Sequence, residues 1–287
     1  MNIIFRLVSA SLLICCAGSL AAENKFADVE ISATKLSDHI YMLTGAGGNI
    51  GVSAGTDGLL IIDDQFAPLA DTISAALADI QPGKPKYIVN THYHGDHTGG
   101  NGIFGQSGTI FAHDNVLKRL ADDDALSKQA LPSITYDKSI KIHFNDDTLS
   151  LMYLPAGHTD GDSVIFWRNA PVVHMGDLFF KDRFPYIDLK AGGSILGYRD
   201  NVATLLTKVD DDTKIIPGHG GLANKQDFIR FKKMLDTSID WMNKQLTSGK
   251  SLDEIKQQGL PEELKAWEWR FISQETWIET LYNGLKS

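Results

Sequence analysis

At 287 residues the chain is long enough for one large domain or two small ones, and 43 % hydrophobic residues give it ample core material. Its net charge of −9, with no local run of Lys and Arg, argues against nucleic acid, whose phosphates require a basic surface. Both cysteines, Cys15 and Cys16, fall within the first 22 residues, so the remainder carries neither disulfides nor thiolate metal ligands.

Residues 1–22 read as a secretory signal peptide. Arg6 is the only charge near the start, Leu7–Ala17 is apolar but too short to span a bilayer, and Ser19-Leu20-Ala21 supplies small residues for cleavage. The expectation is a secreted, periplasmic protein, with no later apolar run long enough for a membrane span. From Ile31 to Thr44 the pattern predicts a strand bent at Ser37-Asp38, then a turn at Gly45–Gly48 and a strand over Asn49–Ala54. Thr56-Asp57-Gly58 is a hairpin turn into the apolar run Leu59–Asp63. Pro68 opens a helix running to about Ile80, Pro82–Pro85 ends it, and Tyr87–Asn90 is a short buried strand.

That strand leads into Thr91-His92-Tyr93-His94-Gly95-Asp96-His97-Thr98-Gly99-Gly100, which holds three of the nine histidines and a carboxylate. Alternate side chains of an extended segment share a side, so His92 and His94 can address one ion. Gly95 then lets the chain turn, and Asp96 and His97 can reach a second. Neutral imidazoles and carboxylates are ligands that zinc accepts.

Beyond this loop the spacing predicts a short helix over Gly99–Phe104, a strand at Thr109–Ala112 and a helix over His113–Leu120. Residues 121–133 are polar and patternless. Strands follow at Ile140–Phe144, Leu149–Leu154, Val164–Trp167 and Pro171–Met175, then a helix over Ser194–Val209 and a strand at Lys214–Ile216. Asn224–Leu246 reads as a long amphipathic helix, a short one begins at Leu252, and the last runs from Pro261 through Trp267, Trp269, Phe271, Trp277, Ile278, Leu281 and Tyr282. Strands followed by helices in both halves suggest two sheets packed face to face with helices outside. Periodicity alone establishes only a mixed α/β chain.

The run from His92 to His97 resembles the HxHxDH signature of the metallo-β-lactamase superfamily. His158 in Gly157-His158-Thr159, Asp177 in Gly176-Asp177 and His219 in Pro217-Gly218-His219-Gly220 follow in order, so the resemblance covers roughly residues 31 to 235. It implies an α+β fold over residues 23–287, a four-layer αββα sandwich with two mixed β-sheets inside and helices outside, ending in C-terminal helices over about 250–287. It also implies a ligand set: His92, His94 and His158 for one zinc, Asp96, His97 and His219 for a second, and Asp177 bridging both, with iron or manganese as other possible ions. Two ions roughly 3.5–4 Å apart share a water and lower its pKa towards ~7, which makes hydroxide available at neutral pH.

Asp96 is the catalytic candidate, orienting that water or passing its proton to the leaving group. A bridging Asp with no cysteine resembles the glyoxalase II, lactonase and phosphodiesterase branches. An unreplaced His94 differs from the di-iron redox relatives. The function so implied is a secreted dinuclear zinc hydrolase whose metal-bound hydroxide attacks a small ester, thioester, lactone or β-lactam carbonyl. The alternatives are antibiotic hydrolysis as the main role, or an iron-dependent oxidoreductase on the same fold.

Substrate contacts must come from loops around the metals. Candidates are Gly45–Gly51 as a flap or a tight hairpin, and the segment after Asp177, where Lys181, Arg183 and Tyr186 are the expected substrate-binding residues. Asp160 and Asp162, beside His158, are candidates to fix an imidazole tautomer. His39, His113, His143 and His174 have no motif around them and read as structural. The expected N-terminus of the exported form is near Ala22 or Glu23; intact mass of protein from its native host checks this, and retention of Met1 to Leu20 would refute it.

Overall fold

The computed structural model describes residues 25–286. The segment read as a signal peptide lies outside them. Seven strands form the first sheet in sequence order: β1 (Ser32–Lys35), β2 (Ile40–Thr44), β3 (Ile50–Gly55), β4 (Gly58–Ile62), β5 (Pro85–Val89), β6 (Thr109–His113) and β7 (Ile134–Tyr136). Pairing is antiparallel from β1 to β4 and parallel from β4 to β7. The second sheet contains β8 (Ser139–Phe144), β9 (Asp147–Tyr153), β10 (Ser163–Trp167), β11 (Val172–His174) and β12 (Lys214–Ile216), with only β11–β12 parallel.

Nine α-helices surround these sheets among the described residues: α1 (Ala70–Ile80), α2 (Gly95–Thr98), α3 (Asn101–Phe104), α4 (Asp114–Ala121), α5 (Ile195–Leu206), α6 (Lys225–Thr247), α7 (Leu252–Gln258), α8 (Glu262–Lys265) and α9 (Gln274–Lys286).

Strand alternation divides the apolar side chains between layers. On β4, Leu60 and Ile62 face the second sheet, where they join Val89, Leu149, Leu151, Ile165 and Ile216. Their neighbours Leu59 and Ile61 face outward and pack with Ile73 and Leu77 of α1. A strand buried on both faces needs a continuous apolar run, which Leu59–Ile62 supplies. On the outer side of the second sheet, Val164, Val173 and Ile215 pack with Tyr198 and Val202 of α5, Phe228 and Phe231 of α6 and Trp277 of α9. Helix, sheet, sheet and helix are thus stacked as the expected four-layer αββα sandwich, with both sheets mixed.

Several local expectations are revised. Pro68 lies in a 3-10 turn, Ala67–Leu69, just ahead of α1. The short helix expected over Gly99–Phe104 is α3, preceded by a further short helix, α2, within the histidine-rich loop, and an additional strand, β7, follows the patternless stretch and pairs with β6. The final helix from Pro261 is broken, with residues 266–273 running as a loop between α8 and α9. Tertiary bonds override the helical spacing there. Phe184 donates its N–H to the Trp267 carbonyl (2.7 Å), and Trp269 Nε1 donates to the Phe184 carbonyl (2.9 Å). Ser273 then restarts the helix by accepting from the Thr276 N–H (3.1 Å).

Among the described residues no helix is long and apolar enough to cross a membrane. Trp277 anchors α9: it is fully buried, stacks on Phe184 at 5.2 Å and donates its indole N–H to Ser238 Oγ (3.1 Å). Trp277→Ala is expected to cost about 3–5 kcal/mol of stability through the cavity it leaves, read as a lower midpoint in denaturant unfolding.

Candidate metal centre

Four loops at one rim of the sandwich converge. β5 leads to His92, His94, Asp96 and His97, and the β9–β10 connection carries His158. β11 leads to Asp177, and β12 leads to His219. Because β4 and β5 are parallel, as are β11 and β12, the carboxyl ends within each pair open onto the same rim. Asp177 lies on a 3-10 turn, Gly176–Leu178, rather than at the end of a strand.

Two groups form there. His92, His94, His158 and Asp177 bring one ligand atom each within 4.8 Å of one another, and so do Asp96, His97 and His219. The Asp177 carboxylate also reaches the second group. Its Oδ1 is 3.1 Å from His97 Nε2, and its Oδ2 is 3.4 Å from His219 Nε2, 3.5 Å from His158 Nε2 and 3.8 Å from His92 Nε2. Asp96 Oδ2 stands 3.3 Å from His219 Nε2.

The outer hydrogen bonds decide which imidazole nitrogen is free. His97 Nδ1–H donates to Asp63 Oδ2 (2.7 Å). The Thr91 hydroxyl donates to the same oxygen (2.8 Å), so its Oγ1 is left to accept from His92 Nδ1–H (3.0 Å). His158 Nδ1–H donates to the Tyr186 carbonyl (2.7 Å), and His94 Nε2–H donates to Asp188 Oδ2 (3.1 Å). Lone pairs are therefore presented by Nε2 of His92, His97 and His158 and by Nδ1 of His94. His94 Nδ1 and His158 Nε2 then face each other at 2.8 Å as two acceptors, an arrangement that a shared cation relieves.

His92 Nε2, His97 Nε2 and Asp177 Oδ1 are buried with no hydrogen-bond partner among the described residues. Buried polar atoms are ordinarily satisfied; Asp64 Oδ2, Gln65 Oε1 and Trp167 Nε1 are orphaned elsewhere, but the first three face one another within the ligand set, so the donor set fits a divalent metal.

Burial, followed by the charge of His97, holds His92 well below the usual imidazole range, and burial pushes His158 down to about 4. Both thus carry the neutral ring a metal requires. Burial opposes ionisation of Asp177, but the surrounding imidazoles, His97 foremost, hold it well below the usual carboxylate range. Against the same burial penalty, Asp177 and its fellow carboxylates raise His97 well above its ordinary value and His219 to about 9. A cation entering the site competes with those two protons for the same negative charge.

Close backbone approach completes the centre. A Cβ on Gly218 would stand 2.0 Å from Asp177 Oδ1, and one on Gly48 2.2 Å from His97 Cε1. Gly48 also donates its N–H to the Asp96 carbonyl (3.0 Å), and Gln65 Nε2 donates to the Gly48 carbonyl (2.8 Å). The Gly45–Gly51 segment is therefore a hairpin held down on the site.

Other expectations change. Asp160 is paired with Arg119 (2.7 and 2.6 Å), and Asp162 accepts from Thr159, so neither touches the His158 ring. The tautomer-setting groups are Asp63, Thr91, Asp188 and the Tyr186 carbonyl, none of which sequence reasoning singled out for that role. Asp63 offered a signal, as a carboxylate closing a fully apolar strand beside β5; Asp188 offered none. Lys181, expected as a substrate contact, has its ammonium bonded to the Leu222 carbonyl (2.7 Å) and to Asp227 (3.0 Å), at the start of α6. Tyr186 borders the first group, with its ring 5.6 Å from His94, and Arg183 lies over Trp269 at 4.9 Å.

The sequence model of the Metallo-beta-lactamase superfamily matches residues 43–219. An uncharacterized protein of Aquifex aeolicus (strain VF5) is 30 % identical over 142 residues, covering 46 % of this chain and 66 % of its own length. The protein named "Probable metallo-hydrolase YybB" of Bacillus subtilis (strain 168) is 31 % identical over 134 residues, 44 % of this chain and 60 % of its own. The matched stretch thus spans less than two thirds of either relative. Among solved structures, a metallo-beta-lactamase from Pontibacter korlensis has a TM-score of 0.62 at 16 % identity, covering 72 % of this chain and 99 % of that one. The sec-alkylsulfatase Pisa1 from Pseudomonas sp. has a TM-score of 0.70 at 15 % identity, over 88 % of this chain and 50 % of that one.

Replacing Asp63 by Asn puts an amide donor into a position that serves three donors, since Asp63 also accepts the Thr91 N–H (2.8 Å). Asp63→Asn is expected to weaken metal binding by about 10–100-fold while preserving the fold. Competition against a chromophoric chelator, with circular dichroism alongside, measures this; wild-type affinity would show that Asp63 does not set the ring.

Proposed function

The chain belongs to the metallo-beta-lactamase superfamily, and we propose that it is an exported two-zinc hydrolase of small acyl compounds: esters, thioesters, lactones or β-lactams. The observation that carries this reading is the convergence of six side chains around Asp177, with four imidazole tautomers fixed so that a lone pair points inward. In this assignment His92, His94 and His158 would hold one zinc and Asp96, His97 and His219 the other, with Asp177 available to both.

Zinc supplies Lewis acidity here, polarising a carbonyl and lowering the pKa of water towards ~7. The protein residues do the rest. Asp63 and Asp188 keep His97 and His94 in ligand form throughout the cycle, because neither imidazole can turn without losing its outer hydrogen bond. Asp96 is the most solvent-open carboxylate of the set, 27 % exposed against 4 % for Asp177. Burial opposes its ionisation, but His97 and the hydrogen bond from His219 keep it below its ordinary value, so it enters the reaction able to accept a proton. Water gives one proton to Asp96 as its oxygen adds to the acyl carbon, the bond to the leaving group breaks, and that proton passes from Asp96 to the departing oxygen, sulfur or nitrogen.

Elemental analysis of saturated protein is expected to give two ions per chain, and a panel of the four substrate types should reveal turnover. Asp177→Ala should lose metal and lower turnover by about 100-fold or more, with near-native circular dichroism. One ion at saturation would overturn the dinuclear assignment; full activity with two retained ions in Asp177→Ala would overturn the bridge.

A further inference from the structure

The superfamily match ends at residue 219, but the wall of the metal mouth does not. The loop over residues 266–273, far along the C-terminal segment, returns to the rim and places Trp269 and Phe271 beside it. Trp269 lies 6.0 Å from the His219 ring, and Phe180 stacks on His219 at 4.9 Å. Phe271 lies 5.6 Å from Trp269 and 5.7 Å from Tyr186, and Tyr186 lies 5.6 Å from His94. Phe180, Trp269, Phe271 and Tyr186 thus form an aromatic arc that begins at a ligand of one metal group and ends at a ligand of the other.

This arc is built rather than incidental. Its loop is fixed to the Phe184 backbone from both sides, by the Trp267 carbonyl and the Trp269 indole N–H. Phe271 gains nothing for the core: at 61 % it is the most exposed large hydrophobic residue described. A lone exposed apolar side chain needs no explanation, but one that continues a fixed aromatic surface from a metal centre makes a contiguous apolar wall.

A cation completes the wall. Arg183 lies over the Trp269 ring at 4.9 Å and spends only its Nε, on the Lys181 carbonyl (3.3 Å). Among the described residues no carboxylate is in ion-pair range of its guanidinium, and the adjacent Asp182 is taken by Arg230 (2.5 Å). In a chain of net charge −9, a cation without an ion pair beside the mouth selects for an anion.

We infer that the C-terminal loop is the specificity wall of this site, and that the substrate carries a planar apolar ring bearing a carboxylate. The ring lies on Phe271 and Trp269, and the carboxylate meets Arg183. Offset or edge contacts favour a planar group over an alkyl chain on such a surface, and guanidinium–carboxylate pairing fixes its direction. The inference rests on the hydrolase reading for its reaction, but the wall itself is tested by binding alone.

The test is calorimetric binding of 2-naphthoate to zinc-loaded protein, with acetate, octanoate and 2-naphthol as comparison probes. Direct carboxylate–metal contact is common to the three acids, so their differences report the wall. Naphthoate is expected to bind about tenfold or more tighter than acetate and octanoate. Phe271→Ala should remove most of that advantage, Phe271→Tyr should restore it, and Arg183→Gln should weaken naphthoate binding while leaving 2-naphthol binding unchanged. The melting temperature of Phe271→Ala should stay near wild type, because its ring is exposed.

Unchanged naphthoate affinity in both Phe271→Ala and Arg183→Gln overturns the inference, whether or not hydrolysis has been found. Octanoate binding as tightly as naphthoate overturns the planar-ring assignment. Intact discrimination in a protein that hydrolyses none of the panel leaves the wall standing and takes down the hydrolase reading.

Discussion

The structure depends on one shared acceptor. Asp63 Oδ2 takes protons from both His97 Nδ1 and the Thr91 hydroxyl, and through that hydroxyl it also orients His92. A single buried carboxylate therefore controls one imidazole in each metal group. In water these rings would rotate and exchange tautomers freely. Buried at the rim, each must commit one nitrogen outward, and the other is left facing its neighbours. Orphaned lone pairs of this kind cost free energy unless a cation satisfies them, so the protein is built around a ligand it does not itself supply.

The scaffold makes that commitment possible by bringing strand ends together. Asp63 follows β4 and the His92 loop follows the adjacent parallel strand β5, so the acceptor and its donors start from neighbouring positions. Backbone then has to approach side chains more closely than a Cβ permits, as Gly218 does at Asp177 and Gly48 at His97. Asp63 itself has φ 64, a left-handed conformation uncommon for a non-glycine residue. Strain at this point is offset by the rigid sheet beneath it, where Leu60, Ile61 and Ile62 are fully buried.

Much of this was legible in the sequence because it is local or periodic. Leu59–Ile62 read as an apolar strand run after a hairpin turn, and the spacing of His92, His94, Asp96 and His97 marked them as candidate metal ligands. What could not be read depends on distant partners. Asp160 and Asp162 adjoin His158 in sequence, but Arg119 and Thr159 claim them, while the proton of His158 goes to the carbonyl of Tyr186, 28 positions away. Lys181 looked free because its counter-charge, Asp227, belongs to a helix that begins 44 residues later. The helix expected through Trp267, Trp269 and Phe271 failed for the same reason: apolar spacing does not distinguish a face packed on the body from a loop bonded to Phe184.

That broken helix matters for how function is divided along the chain. The centre lies within residues 43–219, the stretch shared with the superfamily, and a scaffold of this shape occurs in proteins named as a β-lactamase and as an alkylsulfatase alike. A fold that serves such different names does not choose the substrate. Choice has to come from residues that border the centre without being needed to build it. The hairpin Gly45–Gly51 is a poor candidate, since its glycines are held against His97 and Asp96 and leave no side chain free to read a ligand. Tyr186, whose backbone is already committed to His158, can offer its ring and little else. The loop over 266–273 is under no such obligation: none of its side chains belongs to the ligand set, and its backbone is anchored through Phe184, so its aromatic residues can differ between relatives without disturbing that set. Separating a fixed centre from an independently anchored wall allows substrate preference to change while the metal geometry stays the same.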